Sequence, residues 1–174
     1  DYVDMAAHLE AVPGARAVVN FVPILLEQID DYAQQVRSHL QHGDPLRDPV
    51  LAALVSPPPD RDGRARSLIR ACLRANEEHL INRFPEYRRL ADLARWMDEH
   101  PESLIYLDDQ FLADLSTWYH LAWMGETVRR EDRRIQRLQN KGVGFTQADR
   151  RELLTVIGEI LDDLLARYRR LAEQ

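Results

Sequence analysis

The sequence predicts a mostly α-helical, multi-helix domain, and three observations carry that reading. Apolar residues recur at helical spacing along most of the chain, and prolines fall where helices start or stop. A convincing strand signal, a short β-branched run bounded by turn residues, occurs once, near residues 16–21. With 174 residues, 45% of them hydrophobic and 30% charged, the chain has the size and composition of one globular domain, spanning 1–174.

Tyr2, Met5, Ala6, Leu9 and Val12 share one helical face, and Pro13-Gly14 ends that helix. Ala15 to Phe21 then reads ARAVVNF, β-branched and followed by Pro23, as one buried strand does. A lone strand cannot satisfy its own backbone donors and acceptors, so it demands partners that the rest of this helical pattern does not supply. Pro23, well suited to a first helical position, opens a helix through Leu25, Leu26, Ile29, Tyr32, Ala33 and Val36 to about Leu40. Gly43 to Pro49 breaks the pattern, Asp48-Pro49 starts a short helix from Val50 to Val55, and Pro57, Pro58 and Pro59 form a stiff link.

Beyond the prolines, Leu68, Ile69, Cys72, Leu73, Leu80 and Ile81 predict one helix from Arg64 to Arg83, and Pro85 opens another with Tyr87, Leu90, Leu93, Ala94 and Met97 on one face. A connection without clear pattern starts at Pro101. Asp108 or Asp109 caps a strong helix bearing Phe111, Leu112, Leu115, Trp118, Tyr119, Ala122 and Trp123. A basic, apolar-poor helix from Thr127 to Gln139 follows, stopped by Gly142-Val143-Gly144. Thr146 and Asp149 spell a capping box for the last helix, Gln147 to Glu173, whose stripe runs from Leu153 through Ile157 to Leu171. Counted as about 25 residues at 1.5 Å each, that helix is roughly 37 Å long and is the expected spine.

Charge and composition exclude several functions. A net charge of -6, from 23 basic and 29 acidic residues, argues against nucleic acid or an anionic membrane as partner. The longest nearly apolar run, Ala17 to Leu26, contains Asn20 and Pro23 and is half the about twenty residues a bilayer requires. Cys72 is the single cysteine, and no leader pattern precedes the first helix, which together predict a reducing, cytoplasmic setting. The chain opens at Asp1 inside one helical pattern and closes at Gln174 in another, so it reads as a piece of a longer protein.

Candidate chemistry is sparse. His39 and His42 are three apart but lie where a helix frays into a turn, without a third ligand in view, so no metal site is expected. Cys72 falls on an apolar stripe and reads as core. His120, inside the aromatic helix, reads as a buried hydrogen-bonding residue. Six acids (Asp98, Glu99, Glu102, Asp108, Asp109 and Asp114) lie together without an intervening cation, and Glu77-Glu78 forms a second pair. Their spacing shows no two carboxyls opposed across a substrate, so helix capping and solvated surface explain them. The basic runs 61–74 and 129–141 lack the interleaved aromatics of a nucleic-acid groove, and are expected to be solvated or to form salt bridges to the acidic stretch 98–114. No glycine-rich phosphate loop or other cofactor motif is present, so no cofactor is expected. The unusual feature is Trp118-Tyr119-His120-Leu121-Ala122-Trp123-Met124-Gly125, which reads either as bundle core or as an aromatic platform that stacks on sugar rings through Trp118 and Trp123.

Four blocks add a family resemblance. Asp1-Tyr2-Val3-Asp4-Met5-Ala6, Ala17 to Leu26 (AVVNFVPILL) with Glu27-Gln28, Trp118 to Gly125, and Lys141 to Asp149 (KGVGFTQAD) occur in that order. Together they resemble the N-terminal part of glycoside hydrolase family 57, a group of α-amylase, α-mannosidase and 4-α-glucanotransferase-like proteins. The resemblance implies a distorted (β/α)7 barrel with helices inserted between its early strands, acting on α-glucans by retention through a Glu nucleophile and an Asp acid/base. It implies that Arg16 to Phe21 is the second barrel strand, that residues 1–42 are a barrel-derived helix-strand-helix segment, and that 43–174 are a helical insertion. No residue here matches either catalytic carboxylate.

Two functions follow as expectations: a helical region of such a hydrolase that forms cleft wall without catalysing anything alone, or an autonomous all-α interaction module. The partners expected are the remainder of the parent barrel, an α-glucan, and a second copy of the chain, because Val18, Phe21, Ile24 and Leu25 would be left uncovered outside a barrel.

Overall fold

The computed structural model describes residues 2–59 and 63–173, and among these the regular structure is helical throughout. The helices are α1 (Tyr2–Ala11), α2 (Pro23–His42), α3 (Pro49–Val55), α4 (Arg64–Cys72), α5 (Pro85–Glu99), α6 (Asp109–Trp123), α7 (Glu126–Glu131), α8 (Arg133–Lys141) and α9 (Gln147–Ala172). A π-helical turn, Glu77–Ile81, precedes α5 and a 3-10 helix, Pro101–Tyr106, follows it.

Local sequence explains most of these bounds. Pro23, Pro49 and Pro85 each sit in a first turn, where the missing N–H costs nothing. Asp48 accepts from the N–H groups of Val50 and Leu51 at 2.9 and 2.7 Å, and Asp108 caps α6 through Phe111 N–H at 2.7 Å. Both bonds of the Thr146/Asp149 capping box are present. Gly43 closes α2 with φ of 79°, a left-handed conformation that glycine adopts without strain.

α9 is the spine of one layer. α2 runs antiparallel along it, with Arg37 paired to Asp162 at 2.5 Å and Arg151 donating to the Leu40 carbonyl at 3.0 Å. α1 lies at its C-terminal end, where the Tyr168 hydroxyl donates to the Tyr2 carbonyl at 2.7 Å and Tyr2, Phe21 and Tyr168 form an aromatic cluster. α6 is the centre of the other layer, enclosed by α3, α4, α5 and α9, and every residue from Leu112 to Trp118 is buried. One carboxylate fastens this helix to the turn before α9: Asp114, itself buried, accepts from Gly144 and Phe145 N–H, both at 2.9 Å, and from the Gln110 amide at 2.8 Å.

Three expectations are corrected. Residues 15–22 are not a strand but an irregular, largely exposed connection, with Val18 fully exposed, because no neighbouring segment offers the ladder a strand needs. The helix expected from Arg64 to Arg83 stops at Cys72, since the Asn76 side chain accepts from His79 N–H at 2.8 Å and restarts the backbone as a π turn. The basic helix expected from Thr127 to Gln139 is two, α7 and α8, divided at Asp132, whose side chain caps α8 through Arg134 N–H at 2.8 Å. The salt bridges expected to the acidic stretch 98–114 form from the first basic run, where Arg66 and Arg70 reach Asp98, whereas the second run meets acids of α9: Arg134 pairs with Glu159, Arg137 with Glu152 and Asp149, and Lys141 with Asp149.

Candidate functional site

The two tryptophans of α6 do not share a surface. Five residues advance a helix by about 140°, so Trp118 and Trp123 diverge around the axis. Trp118 is 1% exposed, packs against Phe84 and Phe145 with ring centroids 5.5 and 6.4 Å away, and donates its indole N–H to the Gly142 carbonyl at 2.5 Å. It is core and has no face to offer a sugar, which corrects the pairing of Trp118 with Trp123 in a platform. Trp123 is 55% exposed.

The neighbour that does share the surface is Tyr119, at the i, i+4 position that stacks residues along a helix face. Its ring lies 6.3 Å from that of Trp123. The next helical junction holds this end of α6 in place: Arg129, buried, donates to the carbonyls of Ala122 and Met124 at 3.2 and 2.7 Å and to Glu126 at 2.6 Å. Those bonds satisfy carbonyls that every helix C-terminus leaves open.

Polar groups from two other elements lie within electrostatic reach of Tyr119. Asp48 spends one oxygen on the α3 cap and accepts the Tyr32 hydroxyl on the other at 3.0 Å. Burial pushes the Tyr32 phenol up, and the hydrogen bond to Asp48 adds to the push. The Tyr119 phenol is raised chiefly by burial, and the Asp48 carboxylate adds to the push. His120 hydrogen-bonds the Ser116 carbonyl through Nδ1 at 2.8 Å, which makes that nitrogen the donor. Burial lowers its pKa, so the neutral ring is favoured near pH 7. The exposed end of α6 therefore presents an indole and a phenol, groups suited to stacking and hydrogen bonding rather than to proton transfer.

The remaining candidates sort into structural roles. Glu77 pairs with Arg95, and Asp98 accepts from Arg66 and Arg70 at 2.6 and 2.8 Å. Asp108 is a cap and Asp114 a buried anchor, so neither faces a partner carboxyl across a cleft. Cys72 is buried, and burial pushes its thiol up to about 12, the behaviour of an unreactive core thiol. His39 turns Nδ1 to the Asp44 carbonyl at 2.7 Å. Among the described residues no group of three or more His, Cys, Asp or Glu is placed to hold a metal ion, and no helix is long and apolar enough to cross a membrane. Sequence reasoning missed Tyr32 and Asp48, which lie far from α6 along the chain. Tyr119 was within reach through its i, i+4 spacing to Trp123.

No family model, curated protein or solved structure matches this chain.

Proposed function

We propose that the chain is the helical region of a glycoside hydrolase resembling family 57, acting on α-glucans, and that it forms a wall of the substrate cleft while the catalytic carboxylates lie outside it. The observation that carries this reading is the outer face of α6, where Trp123 stands exposed beside Tyr119. A flat apolar indole with a phenol beside it matches the alternation of apolar ring face and equatorial hydroxyls along a glucan. The order of the four sequence blocks supports the parent family. Cys72 and the absence of a second cysteine suit a reducing, cytoplasmic setting.

Maltoheptaose titration by calorimetry tests the reading. The wild-type chain is expected to bind weakly, Trp123→Ala to lose binding at least tenfold, and Trp96→Ala, which removes an indole exposed elsewhere, to bind as wild type. No maltooligosaccharide is expected to be cleaved. Equal binding by wild type and Trp123→Ala, or repurified activity, would contradict the proposal.

A second reading, an autonomous interaction module, is favoured by the exposed Val12, Val18, Val22 and Ile24 around the same irregular stretch. On that reading two copies associate through this segment.

A further inference from the structure

A trough of about 480 Å³ runs along α9 opposite α7, a volume within the range of ligand-binding clefts. Its α9 wall carries two parallel rows at i, i+4, i+8 spacing, which are neighbouring stripes on one helix. Val156, Ile160 and Leu164 form the floor, and Glu159, Asp163 and Arg167 form one lip. On the α7 side Val128 adds to the floor, and Glu131 and Asp132 form the other lip. From Val156 to Arg167 the helix advances eleven residues, so the trough is about 16 Å long.

The two walls are held apart by contacts outside the trough. α7 packs chiefly on α8 and α1 rather than on α9, and Asp4 of α1 caps it, accepting from Glu126 and Thr127 N–H at 2.8 Å each. At one end Arg134 bridges the lips, donating to Asp132 at 2.7 Å and to Glu159 at 2.9 Å. At the other, Arg167 donates to Glu10 of α1 at 2.8 Å. Two acids remain with little to neutralise them. Glu131 is exposed and makes no ion pair among the described residues, acting on Arg167 only through space. Asp163 pairs with Arg170 at 2.9 Å, but both side chains are more than half exposed, and such a pair contributes little.

We propose that this trough receives a short amphipathic helix of a basic partner protein, its apolar row on the floor and its Lys or Arg side chains on Glu131 and Asp163. Charge complementarity selects a cationic occupant and turns away nucleic acid and anionic lipid. Both walls are helices whose backbone groups bond within themselves, so no edge is offered to an extended peptide. A helix satisfies its own backbone and presents anchors at i, i+4 and i+7, which match the turns of α9. A second copy of the chain does not supply that helix. Its basic helices α4 and α8 bury their own apolar faces, Leu68 and Ile69 in one and Ile135 and Leu138 in the other. Trp123 and Tyr119 take no part in the trough, so the proposal does not depend on the glucan reading.

The test titrates the intact chain into a fluorescein-labelled two-heptad peptide of Leu and Lys, patterned as an amphipathic helix, and reads anisotropy. Saturable one-to-one binding is expected, weakening severalfold as salt is raised. The same residues in scrambled order, and oligolysine of the same length, are expected to bind at least tenfold more weakly. Glu131→Lys and Asp163→Lys, both at exposed positions, are each expected to weaken binding about tenfold. Glu78→Lys, which makes the same charge change at an exposed position outside the trough, is expected to bind as wild type. Absence of saturable binding, or equal binding by Glu131→Lys, would overturn the proposal. Oligolysine binding as tightly as the patterned peptide would reduce the trough to an acidic surface. Octylamine binding as tightly would make a small cationic amphiphile the occupant, and self-association of the chain that Glu131→Lys abolishes would make it a second copy. Each of these three outcomes also overturns the proposal.

Discussion

At Asp149 four donors converge on one buried carboxylate: Lys141 Nζ at 2.5 Å, Arg137 Nη1 at 3.0 Å, and the Thr146 hydroxyl and N–H at 2.7 and 2.9 Å. Burial alone would raise its pKa, but the donors outweigh it and hold the carboxyl well below the usual carboxylate range. A folded pKa below the unfolded value means stability that is present above about pH 4 and lost as pH falls through the folded value. The melting temperature is therefore expected to drop as pH goes from about 4 towards 2, and Asp149→Asn to flatten that slope. A slope unchanged in the variant would remove Asp149 from the account. Asp114 is the second such residue. Asp114→Ala strands two backbone N–H groups at about 1–3 kcal/mol each, so chemical denaturation should show a loss of about 3 kcal/mol. The two differ in legibility. T-x-x-D is a local pattern and Asp149 was visible in it, whereas Asp114 meets its backbone partners thirty residues away and nothing beside it in sequence announces them.

Between elements, α2 and α9 approach closely at Gly158. A Cβ on Gly158 would come within 2.9 Å of Val36 Cγ1, and Val36 is a buried, branched side chain with no room to retreat. Gly158→Ala gains about 1 kcal/mol of helix propensity but overpacks a helix contact, which costs about 1–3 kcal/mol, so a net loss is expected in urea unfolding. Leu153, fully buried on the same helix, is the sharper probe of the spine. Leu153→Asp should abolish cooperative unfolding, because an unpaired buried charge costs several kcal/mol. The long helices were legible because apolar period and proline placement agree along them. The breaks at Asn76 and Asp132 were not, since each depends on one short polar side chain bonding its own backbone, a choice that hydrophobic periodicity does not register. Residues 16–21 carried a true β signal, but local propensity cannot produce a strand without a partner.

Across the molecule, the same helix serves both core and surface. α6 buries Trp118 among Phe84, Phe145 and the Gly142 carbonyl and turns Trp123 outward at its last residue. The sequence showed that this helix was unusual. Which tryptophan was free followed from the 140° between them and from the turn that covers one of them, and only the second of these needs the fold. If the irregular stretch 15–22 is an interaction surface, sedimentation equilibrium should show a dimer at micromolar concentration that Val18→Lys disrupts; a monomer throughout would dismiss that reading. Deleting residues 1–43 would be a poor substitute, because it strips α2 from α9. The central claim is that α6 faces an α-glucan through Trp123, and indole N–H resonances report on it residue by residue. On titration with maltoheptaose the Trp123 indole signal should move and saturate while those of Trp96 and Trp118 stay in place. A stationary Trp123 signal, or equal movement of all three, would contradict the account.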